Sequence, residues 1–297
     1  MNVAIVASYK PGVWTSHVAY IKSFADLGHT VSIFSITDEK GNQNFDSLNK
    51  LLELRDTFDL ILTFGHGQVY DKRLFYKNFK CPVFGELGDD PQQFHNNIKC
   101  AELYEFILTP DLQSLLKYKD AGWNNVYWWT HCYDSEIFHP YSDVEVTTDI
   151  VTGMNEYGRR TQLLEILSSK KDSFTFVNKV TNQDPVGYAR HMCSGDIVFN
   201  CSNYGEITRR IYEAMACGKF VLTDKISERT GLYRHFSDGI HFATYENVDD
   251  LINKANYYLD NDEEREGIAA NGLKAVQEHS ALCRVNHLLE IYQKLNK

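Results

Sequence analysis

Residues 203–220 read NYGEITRRIYEAMACGKF. Ile207, Ile211, Ala214 and Met215 recur at helical spacing, and Gly218 stands where a helix closes on a left-handed residue. Lys219-Phe-Val-Leu-Thr-Asp224 follows at once, an apolar run of the kind that forms a buried parallel strand. A helix leading straight into such a strand places the segment inside an α/β sheet. Glu206 and Glu213 are seven positions apart. At about 100° per residue this closes to within roughly 20° of two turns, so the spacing predicts both carboxylates on one helix face, about 10 Å apart along the axis. The turn Asn203-Tyr204-Gly205 is predicted to aim free backbone N–H groups, with Thr208, Arg209 and Arg210, at an anion. Carboxylates for hydroxyls beside donors for phosphate point to a nucleotide sugar. The same residues also fit an amphipathic helix that needs no ligand, with Glu206 and Arg210 as an ordinary i,i+4 surface ion pair.

The alternation of helix and apolar run recurs on both sides. Toward the N-terminus, short apolar runs at 3–7, 30–36, 60–64, 82–84, 106–109 and 126–129 are separated by helical patterns such as 16–27, closed by Gly28. Repeated strand, helix, strand order predicts right-handed crossovers and an open parallel sheet of the Rossmann type. The polar stretch HPYSDVEVTT, residues 139–148, reads as a linker. Beyond it, strands at 149–152, 174–177, 197–200 and 220–223 and helices at 159–170, 185–193 and from Glu206 predict a second parallel sheet, with Asp184 capping the helix at Pro185. Helices at 248–259, 262–278 and 281–295 complete the pattern. The expected organisation is a Rossmann-like domain at 1–143, a second at 144–279, and a C-terminal helix at 280–297 able to pack back on the first. A ligand cleft is expected at the carboxyl ends of the strands.

A chain of 297 residues suits two domains of about 150 residues each. Its 43% hydrophobic content supports a full core, and the formal net charge of −10 disfavours a large basic groove for nucleic acid. Seven cysteines, at 81, 100, 132, 193, 201, 217 and 283, form no C-x-x-C pair. That pattern fits reduced, buried thiols of a cytosolic protein better than a disulfide framework or a zinc site. MNVAIVASYKPG enters a strand directly and no run of about 18 apolar residues occurs, so no signal peptide and no membrane span are expected. Neither half carries a strand followed by G-x-G-x-x-G, which argues against a dehydrogenase or epimerase. No D-x-D stands on a suitable strand end. Arginines and a helix N-terminus supply charge instead, so no metal and no cofactor are expected.

The block ITRRIYEAMACGKFVLTD (207–224), followed by GLYRHFSDGIHFATYENVDDLINKANYYLDNDEEREGIAANGLKAV (231–276), resembles the C-terminal half of GT-B glycosyltransferases, close to family 4 and its spore-maturation-like branch. YWWTHCYDSEIFHP (127–140) is similar to the segment those enzymes carry before their hinge. These matches span about residues 126–279, and the N-terminal domain agrees in pattern only. The resemblance implies two Rossmann-like domains facing a cleft, and transfer of a sugar from a nucleoside diphosphate sugar, a UDP-sugar favoured, to an acceptor hydroxyl. It further implies retention of configuration. In that family one glutamate contacts the donor's ribose and an earlier one the transferred sugar. Glu213 matches the ribose position, whereas Gly205 stands at the earlier position and Glu206 one residue later. A one-residue shift turns a helical side chain by about 100°. Arg210 matches a basic residue three positions before the second glutamate, implying diphosphate contact by Thr208, Arg209 or Arg210. Arg159 and Arg160, opening a helix, match another diphosphate position, with a solvated helix end as the alternative.

The candidate catalytic residues are therefore Glu206, Arg210 and His66. The donor set is Gly12, Arg160, Tyr204, Gly205, Ile207, Thr208, Arg209 and Glu213, and the acceptor side takes Trp14, Asp89, Asp90 and His131. Gly12 and Trp14 belong to SYKPGVW, a tight loop opening a helix at a sheet edge, and His66 stands between glycines in TFGHGQ. Asp89-Asp90 reads equally as the cap of a helix near Gln92. The loop NKVTNQ (178–183) is where the resemblance places the nucleobase. Two other functions fit the same residues: a viral-type enzyme glycosylating a hydroxymethylated DNA base, and a sugar-nucleotide-binding protein without activity.

Overall fold

The computed structural model of the chain describes residues 1–9, 16–38, 40–64, 71–180 and 184–295. It divides into two compact units, one of Met1–Thr130 with the segment from Ala281 onward, the other of His131–Ser280.

In the first unit β1 (Asn2–Ala7), α1 (Ser16–Asp26), β2 (Thr30–Ser35), α2 (Phe45–Glu53), β3 (Leu60–Phe64), β4 (Val83–Glu86), α3 (Phe94–Cys100), β5 (Phe106–Thr109), α4 (Leu112–Asp120) and β6 (Val126–Trp128) follow in turn. The six strands are parallel, in the order β2-β1-β3-β4-β5-β6. Val3–Ala7 and all of β3 are buried without alternation, because strands covered on both faces have no polar side to present. Asn44 opens α2 by accepting from Ser47 N, and Asp111 opens α4 by accepting from Ser114 N. Asp89-Asp90 caps no helix at Gln92, since α3 begins at Phe94 with Gln93 as its N-cap.

The second unit contains β7 (Thr148–Thr152), α5 (Arg159–Ser169), β8 (Phe176–Asn178), α6 (Pro185–Cys193), β9 (Gly195–Phe199), α7 (Arg209–Ala216), β10 (Phe220–Asp224), β11 (Ala243–Tyr245), α8 (Val248–Asp260) and α9 (Asp262–Val276). Its five strands are also parallel, ordered β11-β10-β9-β7-β8. Three features depart from the sequence expectation. The unit begins at His131, ahead of the polar stretch, because His131 Nε2 meets the Ile207 carbonyl at 3.0 Å and Phe138 packs edge-on against Tyr188. β11 is an additional edge strand of three residues. The helix expected from Glu206 begins at Arg209, with Thr208 extended at its N-cap.

The last helix, α10 (Ala281–Leu295), returns to the first unit and packs on α1. Ala281, Val285, Leu288 and Ile291 form its buried stripe at helical spacing. Each larger aliphatic contributes about 1.5–3 kcal/mol on burial. Arg284 Nη1 donates to Thr130 Oγ1 at 2.9 Å, and His287 stacks on the fully buried Trp129. All seven cysteines are free thiols, and Cys283 alone is partly exposed. Among the described residues no helix is long and apolar enough to cross a membrane.

Candidate functional site

The order of the second sheet locates its site. After β8 the chain crosses to the other side of β7 and lays down β9, so β7 and β9 flank the point where the winding reverses. In open α/β sheets ligands bind in the crevice outside the carboxyl ends of such strands. Gly153 follows β7 there, Asn200 follows β9, and Asp224 ends β10.

Arg210, from the first turn of α7, spans this point. Its Nε donates to the Tyr188 hydroxyl at 2.9 Å, Nη1 to Asn200 Oδ1 at 2.9 Å, and Nη2 to the Gly153 carbonyl at 3.0 Å. All three acceptors are neutral, so the bonds fix the guanidinium plane without neutralising its charge. Asn200 Oδ1 also accepts from Thr208 Oγ1 at 2.9 Å, while its amide nitrogen donates to Thr223 Oγ1 at 2.8 Å. Thr208 thus spends its hydroxyl on Asn200 and none on capping α7. A Cβ on Gly153 would lie 2.3 Å from the Tyr188 ring, so only glycine allows the strand end to close on that side chain.

Arg159 and Arg160 have different fates. Arg160 is buried rather than solvated: Nε donates to the Cys201 carbonyl at 3.0 Å, Nη1 to the Tyr157 hydroxyl at 3.3 Å, and Nη2 lies 3.4 Å from Glu206 Oε1. Arg159, with 44% of its side chain exposed, reaches the buried Asp224 at 2.9 Å. Asp224 in turn accepts from Ser202 N at 2.8 Å and Ser202 Oγ at 2.5 Å.

Glu206 does not share a helix face with Glu213. It lies before α7, where Oε1 accepts from Asn203 N at 2.9 Å and Oε2 from Tyr204 N at 2.6 Å. These bonds hold 203–206 as a loop and delay the helix to Arg209. The predicted pairing of Glu206 with Arg210 is replaced by the pair with Arg160. Two of the N–H groups expected to be free are consequently engaged, and Gly205 N donates to Ser202 Oγ at 3.1 Å. Gly205 sits at φ 79, Tyr204 is exposed and Ile207 is buried. Glu213 is buried on α7, and burial raises its carboxyl above the usual range against the opposing pull of Arg209 and Arg210.

His131 falls in the second unit, braced on the Ile207 carbonyl, which accepts from its Nε2–H. Burial, reinforced by the Arg209 charge, pushes its pKa down to about 3, so the ring is neutral at physiological pH. In the first unit Asp90 is buried, accepting from Asn97 Nδ2 at 2.9 Å and Thr109 Oγ1 at 2.8 Å. Burial raises its pKa to about 6. The Asp89 carbonyl accepts from Gln93 N. Gly12, Trp14 and His66 lie outside the described residues, as does 181–183 of the nucleobase loop. Among the described residues no group of three or more His, Cys, Asp or Glu could hold a metal ion. Tyr188, Asn200, Ser202 and Asp224 escaped the sequence-based selection. Asn200 carried a usable signal, being the first polar residue at the carboxyl end of an apolar strand.

The structure resembles solved sugar transferases along almost its full length. Anabaena HepE in complex with UDP and glucose is 14% identical, with a TM-score of 0.71 over 99% of this chain and 100% of that one. A glycosyltransferase from Rickettsia africae is 15% identical with a TM-score of 0.72, covering 100% and 98%. Sucrose-phosphate synthase from Thermosynechococcus elongatus is 11% identical with a TM-score of 0.70, covering 99% and 98%. No curated protein matches by sequence. Two parallel α/β sheets with these neighbours define a GT-B fold. Residues 135–290 match the glycosyl transferase-like family, which takes in α7 and the loops around it. The chain belongs to that family and is a glycosyltransferase.

Proposed function

We propose that the chain transfers a sugar from a nucleoside diphosphate sugar, a UDP-sugar first among them, to an acceptor hydroxyl, with retention and without a metal, as a member of the family 4, spore-maturation-like branch. The observation that carries this is the fixed, charged guanidinium of Arg210 at the β7/β9 switch point, held by Asn200, Tyr188 and Gly153. When the bond between the sugar's anomeric carbon and the diphosphate breaks, negative charge grows on the leaving phosphate. A preorganised cation stabilises that charge most effectively, because no dipoles need to reorient during the reaction. Arg209 and the first amides of α7 add to the field, and Glu213 receives the ribose hydroxyls. UDP is favoured because HepE, a neighbour spanning the same length, is known in complex with UDP and with UDP-glucose.

The test is product release from UDP-, GDP-, dTDP- and ADP-sugars, with a chelator present and absent. Turnover of a UDP-sugar that persists in chelator is expected, and an NMR spectrum of the product reads the anomeric configuration. Binding without transfer or slow hydrolysis would favour an inactive sugar-nucleotide binder.

A further inference from the structure

The loop 202–206 already holds an anion, and that anion belongs to the chain. Successive backbone N–H groups of Asn203 and Tyr204 curl around the Glu206 carboxylate at 2.9 and 2.6 Å. Such consecutive amides form an anion-binding concavity of the kind that elsewhere cradles phosphate. Arg160 adds a guanidinium 3.4 Å from the same carboxylate and is pinned from behind by the Cys201 carbonyl. Above the loop the space is open: beyond Gly205 and its two chain neighbours, no heavy atom lies within 4 Å of the point where a Cβ on Gly205 would sit.

A second observation concerns Asn203. Both polar atoms of its side-chain amide are shielded from solvent and have no hydrogen-bond partner. Leaving such groups unsatisfied costs about 1–3 kcal/mol each. A planar carboxylate fills the concavity but offers nothing to this amide. A phosphoryl group carries its two or three free oxygens tetrahedrally around phosphorus, and so can present acceptors outside the single plane of a carboxylate.

We propose that Glu206 is a built-in counter-ligand, whose carboxylate keeps the place of a phosphoryl group in the unliganded chain and is expelled when a diphosphate enters the loop. The identity of the entering group rests on the donor proposed above, although the device can be tested without any nucleotide. A diphosphate carries more charge than a carboxylate and wins the amides and Arg160, whereas a weak monoanion gains little by the exchange. The loop is thereby protected from stray anions while the donor is absent.

Calorimetric titration with inorganic pyrophosphate at fixed ionic strength tests this. Glu206→Gln is expected to bind pyrophosphate about tenfold more tightly than the wild type, the internal competitor having lost its charge. Glu206→Ala should show the same gain and serves if the glutamine variant folds poorly. Adding Arg160→Met should abolish the gain. Affinity equal to or below the wild type in both single variants overturns the proposal, and so does a gain that survives removal of Arg160, which would reflect net charge alone. Turnover of UDP-sugars by the wild type is read separately. If it is absent while the pyrophosphate gain is present, the donor assignment fails and the counter-ligand stands.

Discussion

The carboxyl edges of the two sheets are wound alike but, among the described residues, lined by different charged side chains. In both, the second strand lies on one side of the first and the third on the other, which opens a crevice between the first and third strands. The first unit lines this edge with Glu86, Asp90 and Asp111, all buried. The second sets Arg159, Arg160 and Arg210 there, and its acids Asp224 and Glu206 are each paired with an arginine. Asp90 and Arg210 make the contrast sharpest, since neutral partners hold both. The carboxyl answers burial by keeping its proton longer, with a pKa of about 6. The guanidinium cannot discharge and stays cationic. Winding decides where a ligand can sit, and residue choice decides whether the place keeps a charge.

The contrast breaks most readily at Arg210. Arg210→Ala is expected to lower kcat for a UDP-sugar by about 10²–10³-fold, the scale of losing one preorganised charge-stabilising donor. A loss under tenfold in steady-state assays would mean that the basic edge is not used in the transition state.

The acidic edge is tested by stability against pH. The folded pKa of Asp90 lies above its unfolded value, so the folded state binds more protons between about pH 4 and 6. Its contribution to stability is greatest below that window and falls as pH rises through it, by about 3 kcal/mol in all. Subtracting the urea-derived stability of Asp90→Asn from that of the wild type should give a difference that declines across the window and is flat above it. A difference independent of pH would place the ionised acid in both states.

Glu213→Ala should raise the KM for the donor roughly ten- to a hundredfold, the range of a hydrogen bond to a charged group, with kcat less affected. Undiminished donor affinity removes ribose binding from this residue. Arg159→Ala is the smallest expected effect: its partly exposed pair with Asp224 is worth about 1 kcal/mol or less in thermal or urea melts.

The architecture was legible because buried parallel strands announce themselves as unbroken apolar runs, as in Leu60–Phe64, and because caps such as Asp184 before Pro185 are local chemistry. β11 was not legible. Three residues, Ala243–Tyr245, carry too little periodicity to stand out from their surroundings. Glu213 and Arg210 could be selected from a resembling motif, but the geometry of Glu206 could not be read from it. Its position is set by the amides of Asn203 and Tyr204 together with Arg160, 46 residues away in sequence, and no helical-wheel reasoning contains that last pair. The same holds for Arg210, whose partners Gly153 and Asn200 follow β7 and β9 while Tyr188 comes from α6. Spacing reveals what one element can present, whereas a switch point assembles residues that share no element.

The return of α10 to α1 has a consequence for biosynthesis. On the ribosome α1 emerges before the second unit, whereas the helix that covers it is translated only after that unit. The first unit therefore cannot complete its fold in the vectorial order usual for successive domains. His131–Ser280 is contiguous in the chain and is free to fold while the earlier sheet still waits for its closing helix. Nascent chains arrested before residue 281 should accordingly present an apolar α1 surface to chaperones, whereas a genetic cut meant to isolate the first unit must splice its two pieces together.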